Sequence, residues 1–139
     1  MPEISQELDL LSQQHVNLTF LPHLIPMTRG ILASCYAPLK DSYIENTSDL
    51  KSEVKAIYQD FYKDERFTHV VETPPMTKHT LGSNDCIIYP TVDIRAGRLM
   101  VVSCIDNLVK GAAGQAIQNM NIMCGMPEDS GLNQLAIYP

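Results

Sequence analysis

Apolar residues recur at intervals of three and four in three stretches of the chain, the pattern of helices that bury one face. The first stretch covers residues 4–14, and the second covers residues 50–61. The third begins after Asp106 or Asn107, either of which can cap a helix start, and Gly125 suits the left-handed residue that follows a helix end. The pattern therefore predicts three amphipathic helices.

Five further runs have the length and the β-branched, apolar content of strands, and they cover residues 16–21, 30–39, 67–72, 85–94 and 98–105. The last two are joined by a short glycine-containing turn and predict a hairpin, in which Pro90 indicates an edge position or a bulge. We expect the first two strands to pair, and the second to be covered on both faces. Strands in runs with helices between them indicate an α+β sheet layered by helices.

The third predicted helix starts with unusually small residues. Gly111 and Gly114 each cost roughly 0.5–1 kcal/mol relative to alanine in a helix interior. Two explanations stay open: another backbone packs closely against the glycines, or a cofactor amide or phosphate approaches the helix amides beside Lys110 and Asn107. The stripe that this helix is predicted to bury is Val109, Ala112, Ala113, Ala116, Ile117, Met120 and Met123.

The proline-containing loop 23–29 carries His23 and Arg29. Prolines stiffen a loop, and a guanidinium on a stiff loop is suited to bind a carboxylate or a phosphate. A solvated Arg29 is the alternative. For His23 the residues favour a structural role, with its ring hydrogen-bonded to backbone.

Composition narrows the class of protein. Apolar residues make up 45% of the 139 positions and the net charge is −6 without a basic cluster, so neither nucleic acid nor an anionic membrane is an expected partner. No apolar run approaches the ~20 residues of a membrane span, and the first residues lack the pattern of a signal peptide. We expect a single domain in the cytoplasm.

The four cysteines lack the spacing of a metal site or of a disulfide framework, so reduced thiols are the expectation and no metal is predicted. Cys86 follows His79 by seven positions and is the only candidate nucleophile among them.

One long run resembles a known family. Residues 105–116, IDNLVKGAAGQA, continue through Gln118-Asn119-Met120-Asn121 and are similar to the long C-terminal helix of the N-acetyl-gamma-glutamyl-phosphate reductase family, within the semialdehyde dehydrogenase superfamily. The resemblance extends to residues 20–32, to Gly82-Ser83-Asn84-Asp85-Cys86 and to the opening Pro2-Glu3-Ile4. It spans essentially the whole chain but corresponds to only the C-terminal portion of a family member, so the chain looks like a fragment.

The resemblance implies a fold and a reaction. The fold is a mixed, largely antiparallel sheet with helices on one face, like the C-terminal domain of glyceraldehyde-3-phosphate dehydrogenase. The reaction is the NADPH-dependent reduction of N-acetyl-glutamyl 5-phosphate to its semialdehyde in arginine biosynthesis, by a cysteine nucleophile, a histidine and a glycine-rich Rossmann turn. Those catalytic groups are expected upstream of Met1, so we predict that residues 1–139 alone are inactive.

The resemblance also implies roles for residues that are present. Arg29 and His23 are expected near the substrate, and Asn107, Lys110 and Gly111 near NADP. Residues 106–139 are expected to pack on an N-terminal dinucleotide-binding domain, and the chain is expected to form homo-oligomers. Two alternatives remain: a fragment of an aspartate-semialdehyde-dehydrogenase-like acyl-phosphate reductase, and a non-catalytic oligomerisation module.

Overall fold

The computed structural model describes residues 2–137. Its α-helices are α1 (Pro2–Ser12), α2 (Asp41–Asn46), α3 (Leu50–Phe61) and α4 (Gly114–Met123). Its strands are β1 (Ile31–Pro38), β2 (Thr68–Val70), β3 (Cys86–Asp93) and β4 (Arg98–Ile105). A 3₁₀ turn covers Thr77–Thr80, and a π-helical turn over Val109–Ala113 leads directly into α4.

The strands form one sheet in the order β1-β4-β3-β2. β4 pairs antiparallel with both β1 and β3, whereas β2 pairs parallel with β3, so the predicted mixed and largely antiparallel sheet is confirmed. The predicted hairpin is β3 and β4, with Asp93 opposite Arg98 at its turn. Because β2 pairs no further along β3 than Ile88, Pro90 lies where β3 has no second neighbour and needs no amide hydrogen there.

The helix α3 covers one face of the sheet. Its start is capped by Asp49, whose side chain accepts a hydrogen bond from the amide of Ser52. Leu50 and Val54 pack against Val92 of β3 and form the buried core. The predicted helix is confirmed, but only part of its apolar face is buried, since Ile57 and Phe61 are exposed.

Several predictions about the first forty-nine residues are wrong. Residues 16–21 form no strand; Pro22 and Pro26 restrict the segment that follows, which does not make the short turn that a hairpin needs. β1 is therefore an edge strand with most of its residues exposed, rather than a strand covered on both faces. The segment between β1 and α3, in which no element was predicted, contains the short helix α2.

The helix α1 is confirmed, but it has no buried stripe among the described residues. Its apolar side chains are largely open to solvent: Leu10 is 66% exposed and Leu11 is 81% exposed. No helix within residues 2–137 is long and apolar enough to cross a membrane.

Candidate functional site

The carboxylate of Asp106 lies immediately after β4 and is the centre of a buried cluster of hydrogen bonds. Nη2 of Arg29 lies 2.7 Å from each of its two oxygens. The amides of Gly82, Leu108 and Val109 donate to it at 2.8, 2.8 and 3.1 Å. One side chain thus joins the start of β1, the loop before β3 and the start of the C-terminal helix.

The sheet register brings these groups together. Ile31 of β1 lies opposite Ile105 of β4, so Arg29 and Gly30 run past Asp106 and Asn107 at the same end of the sheet. The side-chain oxygen of Asn107 accepts a hydrogen bond of 2.7 Å from the amide of Gly30. Arg29 is therefore held beside Asp106, and Gly30 beside Asn107, although the members of each pair are far apart in sequence.

A glycine is required at position 30. Its φ of +98° is strained for other residues, and an added Cβ would lie 2.6 Å from Cβ of Thr77. The 3₁₀ turn that carries Thr77 therefore packs directly on the backbone next to Arg29, and this close approach fixes the loop from the other side.

The electrostatics of Asp106 follow from its hydrogen bonds. Burial raises the pKa of its carboxyl group, but the hydrogen bonds from Arg29 and from the amides of Gly82, Leu108 and Val109 outweigh burial and hold the pKa at about 2. Asp106 is accordingly an anion at neutral pH, with Arg29 as its counter-ion.

A phosphate at the helix start, one of the ligand groups that the sequence left open, would meet a carboxylate of the chain itself. Asp106 caps the helix as predicted, and its carboxylate occupies the amides of Leu108 and Val109. The amide of Gly111 donates to the backbone oxygen of Asp106 at 2.9 Å. Because these first amides are already bound to an anion of the chain itself, an incoming phosphate would have to displace a carboxylate.

Lys110 is turned toward the interior of the domain. Its Nζ donates to the side-chain oxygen of Gln118 at 2.7 Å and lies 5.4 Å from the centre of the Phe67 ring. Burial lowers the pKa of Lys110, against the opposing effect of Cys86 and nearby carboxylates. The resemblance implies that this ammonium lies near NADP. In the structure, its described contacts are with side chains of the domain itself.

The buried face of α4 is polar, and the predicted apolar stripe is wrong. Gly114, Gln118 and Asn121 face inward, at spacings of four and three. The predicted stripe instead faces outward, with Met120 49% exposed and Met123 86% exposed. Periodicity identified the two faces of the helix correctly but assigned the wrong one to the interior.

Hydrogen bonds explain why polar residues are tolerated inside. Gln118 accepts from Asn84 at 3.0 Å, and its amide group donates to the carboxylate of Glu128 at 2.5 Å. Asn121 donates to the backbone oxygens of Glu128 and Ser130, each at 3.0 Å. The buried amides hold the segment after α4 against the helix, and this satisfies groups that would be costly to bury alone.

Close packing accounts for Gly114. A Cβ there would lie 2.3 Å from Oδ1 of Asn84, which is buried and has no hydrogen-bond partner within the described residues. Gly111 is exposed, and its added Cβ would make only tighter than usual contacts, 3.3 Å from the backbone oxygen of Asp106 and 3.4 Å from Ile105. The first explanation for the small residues therefore holds at Gly114, while Gly111 remains open to a ligand.

The sequence analysis missed Asn84, Gln118 and Asn121 as organising residues. The available signal was weak, because α4 carries four side-chain amides, Gln115, Gln118, Asn119 and Asn121, and only two of them are buried. The burial of such a residue can be predicted only when its hydrogen-bond partner is known, and Asn84 lies thirty-four positions from Gln118.

The remaining candidates lie apart from the Asp106 cluster in their contacts. His23 is exposed, and its Nδ1 pairs with the backbone oxygen of Leu21 at 3.1 Å, as the structural interpretation predicted. Burial raises the pKa of Cys86, and Lys110 only partly offsets this, so the thiol is not activated as a nucleophile. The described residues contain no group of three or more side chains able to hold a metal ion.

The outward face of α4 borders a cleft. The cleft has a volume of about 230 Å³ and is lined by apolar side chains that include Leu108, Ile117 and Leu132. The exposed apolar residues of α4, which include Ile117, Met120 and Met123, lie next to this cleft, since Ile117 lines it.

The four-stranded, largely antiparallel sheet with its helices is an α+β fold. A family model described as the semialdehyde dehydrogenase dimerisation domain matches residues 1–107. The chain belongs to that family.

Curated relatives agree over a wider range. The chain is 55% identical over 139 residues to N-acetyl-gamma-glutamyl-phosphate reductase of Dehalococcoides mccartyi, 52% over 141 residues to that of Pelobacter propionicus and 50% over 140 residues to that of Geobacter sulfurreducens. Each comparison covers 99% of this chain but 39% of the relative. The chain therefore spans about two fifths of the length of these relatives.

The two helix glycines should respond differently to alanine. Gly114→Ala removes a helix-unfavourable residue but forces its Cβ against buried Asn84, so we expect the free energy of unfolding to fall by about 2 kcal/mol. Gly111→Ala, the matched control, should change it by less than about 1 kcal/mol, because strained contacts and improved propensity offset each other. Urea denaturation followed by circular dichroism measures both; equal effects would contradict the close packing at Gly114.

The Asp106 cluster should make stability sensitive to acid. The folded pKa of about 2 lies below the unfolded value of 3.8, so the carboxylate stabilises the fold above pH 3.8 and this contribution is lost as pH falls toward 2. The loss should be about 2 kcal/mol. Asp106→Asn should lack this part of the pH dependence, and comparing the two proteins cancels the contribution of the other carboxylates. If the curves of unfolding free energy against pH were parallel for the unsubstituted protein and Asp106→Asn, Asp106 would not be the source of this acid sensitivity.

Proposed function

We propose that this chain is the C-terminal part of an NADPH-dependent N-acetyl-gamma-glutamyl-phosphate reductase, which forms N-acetyl-glutamate 5-semialdehyde in arginine biosynthesis in the cytoplasm. The observation that carries the proposal is 55% identity over 99% of the chain to a reductase of that name. The domain family, whose description names semialdehyde dehydrogenases, is consistent with it.

Arg29 is the proposed substrate-binding residue. Its side chain is 35% exposed, so it lies at the surface of the cluster while Asp106 fixes one terminal nitrogen. A guanidinium held in this way suits the phosphate or the carboxylate of an acyl-phosphate substrate, because it presents several donors in one plane. His23, on the same loop and exposed, is a second proposed contact.

Asn107 and Gly111 are the proposed cofactor contacts. Asn107 uses its oxygen to hold Gly30, and its amide group is a donor suited to the uncharged carboxamide of a nicotinamide. Exposed Gly111 leaves room for a close approach of the ring. These residues fit the amide end of NADPH rather than a phosphate, and the bound cofactor would supply the hydride. Lys110, bound to Gln118, is proposed to support this edge by fixing α4.

We further propose that residues 106–139, of which the structure describes those up to 137, pack on the dinucleotide-binding domain. The exposed apolar face of α4 and its neighbouring cleft support this, since a second surface that covers exposed methionines removes their apolar area from water. The relatives are long enough to contain such a domain.

The 139 residues alone are proposed to lack reductase activity. Burial raises the pKa of both Cys86 and Cys104, so neither thiol is poised for attack, and we assign the nucleophile and the glycine-rich turn to the part of the relatives that this chain does not cover. Self-association is proposed as well, from the family description and from Leu32 and Tyr36, which β1 exposes.

A chimera tests this proposal. Residues 1–139 replace the matching segment of the Dehalococcoides mccartyi reductase, and NADPH oxidation is followed with N-acetyl-glutamyl phosphate and with aspartyl phosphate. We expect turnover of the first substrate at a rate within about tenfold of the parent enzyme, little of the second, and none from the isolated chain. A preference for aspartyl phosphate would support the related acyl-phosphate reductase. A folded, inactive chimera that self-associates in light scattering would support the non-catalytic module.

The docking of α4 has its own test. Met120→Lys places a charge on the exposed apolar face, so in the chimera we expect a loss of about 2 kcal/mol in unfolding free energy and weaker NADPH binding. In the isolated chain the same change should cost less than about 0.5 kcal/mol, because the side chain is already in solvent. Gln115→Lys, a control on another side of the helix, should leave both proteins unchanged. Equal effects of Met120→Lys in chimera and isolated chain would rule out docking there.

A further inference from the structure

Asp106 connects the two proposed binding residues. It holds Arg29, the proposed substrate contact, through two distances of 2.7 Å. It also precedes Asn107, the proposed cofactor contact, and caps the turn that follows. Asp106 itself is buried, with no exposed side-chain surface, so it touches neither ligand directly.

The way in which Asp106 holds Arg29 leaves part of the guanidinium free. Nη2 bridges both carboxylate oxygens, and Nε is buried without a hydrogen-bond partner within the described residues. The described hydrogen bonds of Arg29 therefore restrain it at one nitrogen, and the partly exposed side chain has donor capacity to spare. An arginine fixed at one terminal nitrogen has a defined direction for its remaining donors, which a solvated arginine lacks.

The carboxylate also fixes the backbone that carries Asn107. Its hydrogen bonds to Leu108 and Val109 set the start of the helix, while Asn107 and Gly30 are hydrogen-bonded to each other. Any change in the charge or position of Asp106 must therefore move both ends of the proposed site.

We propose that Asp106 is a positioning residue of the reductase, which orients Arg29 toward the acyl-phosphate substrate and aligns it with Asn107 at the cofactor. This inference rests on the proposed function. It assigns Asp106 no contact with the reacting atoms; the residue acts by fixing the direction of a cation and the course of a backbone turn.

The test uses the active chimera and a double-mutant cycle. Asp106→Asn replaces one acceptor by an amide donor that faces Nη2 of Arg29, so we expect the KM for N-acetyl-glutamyl phosphate to rise about tenfold or more. Arg29→Lys should raise the same KM, because an ammonium cannot both hold Asp106 and reach the substrate. In the Arg29→Lys background, Asp106→Asn should then add less than about twofold, since the residue has lost the group through which it acts.

Asp60→Asn is the control, because it removes an aspartate of an exposed ion pair with Lys63 and should leave KM unchanged. Asp106→Glu keeps the charge and provides a second variant if Asp106→Asn does not fold; by displacing Arg29 it should raise KM at least threefold. The dissociation constant for NADPH, measured from cofactor fluorescence, should rise in both Asp106 variants.

The outcomes separate the inference from the function on which it rests. An unsubstituted chimera that folds but is inactive would overturn the proposed function. An active chimera in which Asp106→Asn changes KM equally in both Arg29 backgrounds, or in which Asp106→Glu retains the parent KM, would overturn the positioning role alone.

Discussion

The buried carboxylate of Asp106 is the interaction on which this end of the domain depends. It accepts from Arg29, Gly82, Leu108 and Val109, and thereby joins segments that are otherwise separate. Removing either partner would leave the other without its counter-ion, and for the buried carboxylate of Asp106 this is costly. The Arg29–Asp106 ion pair therefore holds the loop before β1 against the end of β4. The position of Arg29 is fixed by this edge of the sheet and not by the loop alone.

The C-terminal helix obeys the same requirement that buried polar groups be satisfied. Gln118 and Asn121 are buried because Asn84, Glu128 and Ser130 supply partners for them. Once its amides are directed inward, the helix necessarily presents its methionines outward. This helix is thus held to the rest of the domain by polar contacts, and it exposes an apolar face where, under the proposed function, a second domain packs.

Local sequence predicted those parts of the fold that depend on neighbours in the chain. The β3 and β4 hairpin follows from two apolar runs across a glycine turn, and α3 follows from its capping aspartate and its stripe. The strand expected at residues 16–21 is absent because a strand needs a partner for its backbone, and pairing is not encoded within the segment itself. For the site, the sequence drew attention to Arg29 and Asn107 separately and considered Asp106 only as a helix cap.

The sequence alone determined the class of fold, the ends of the last helix at Asp106 and Gly125, and the two-faced character of that helix, since each depends on residues a few positions apart. Only the tertiary structure decided which face is buried, that Gly114 accommodates Asn84, and that Lys110 faces Gln118. It also decided that Arg29 and Asp106 meet across seventy-seven positions. The physical reason is that periodicity describes how side chains are distributed around an element, whereas burial depends on which distant groups satisfy or fill them.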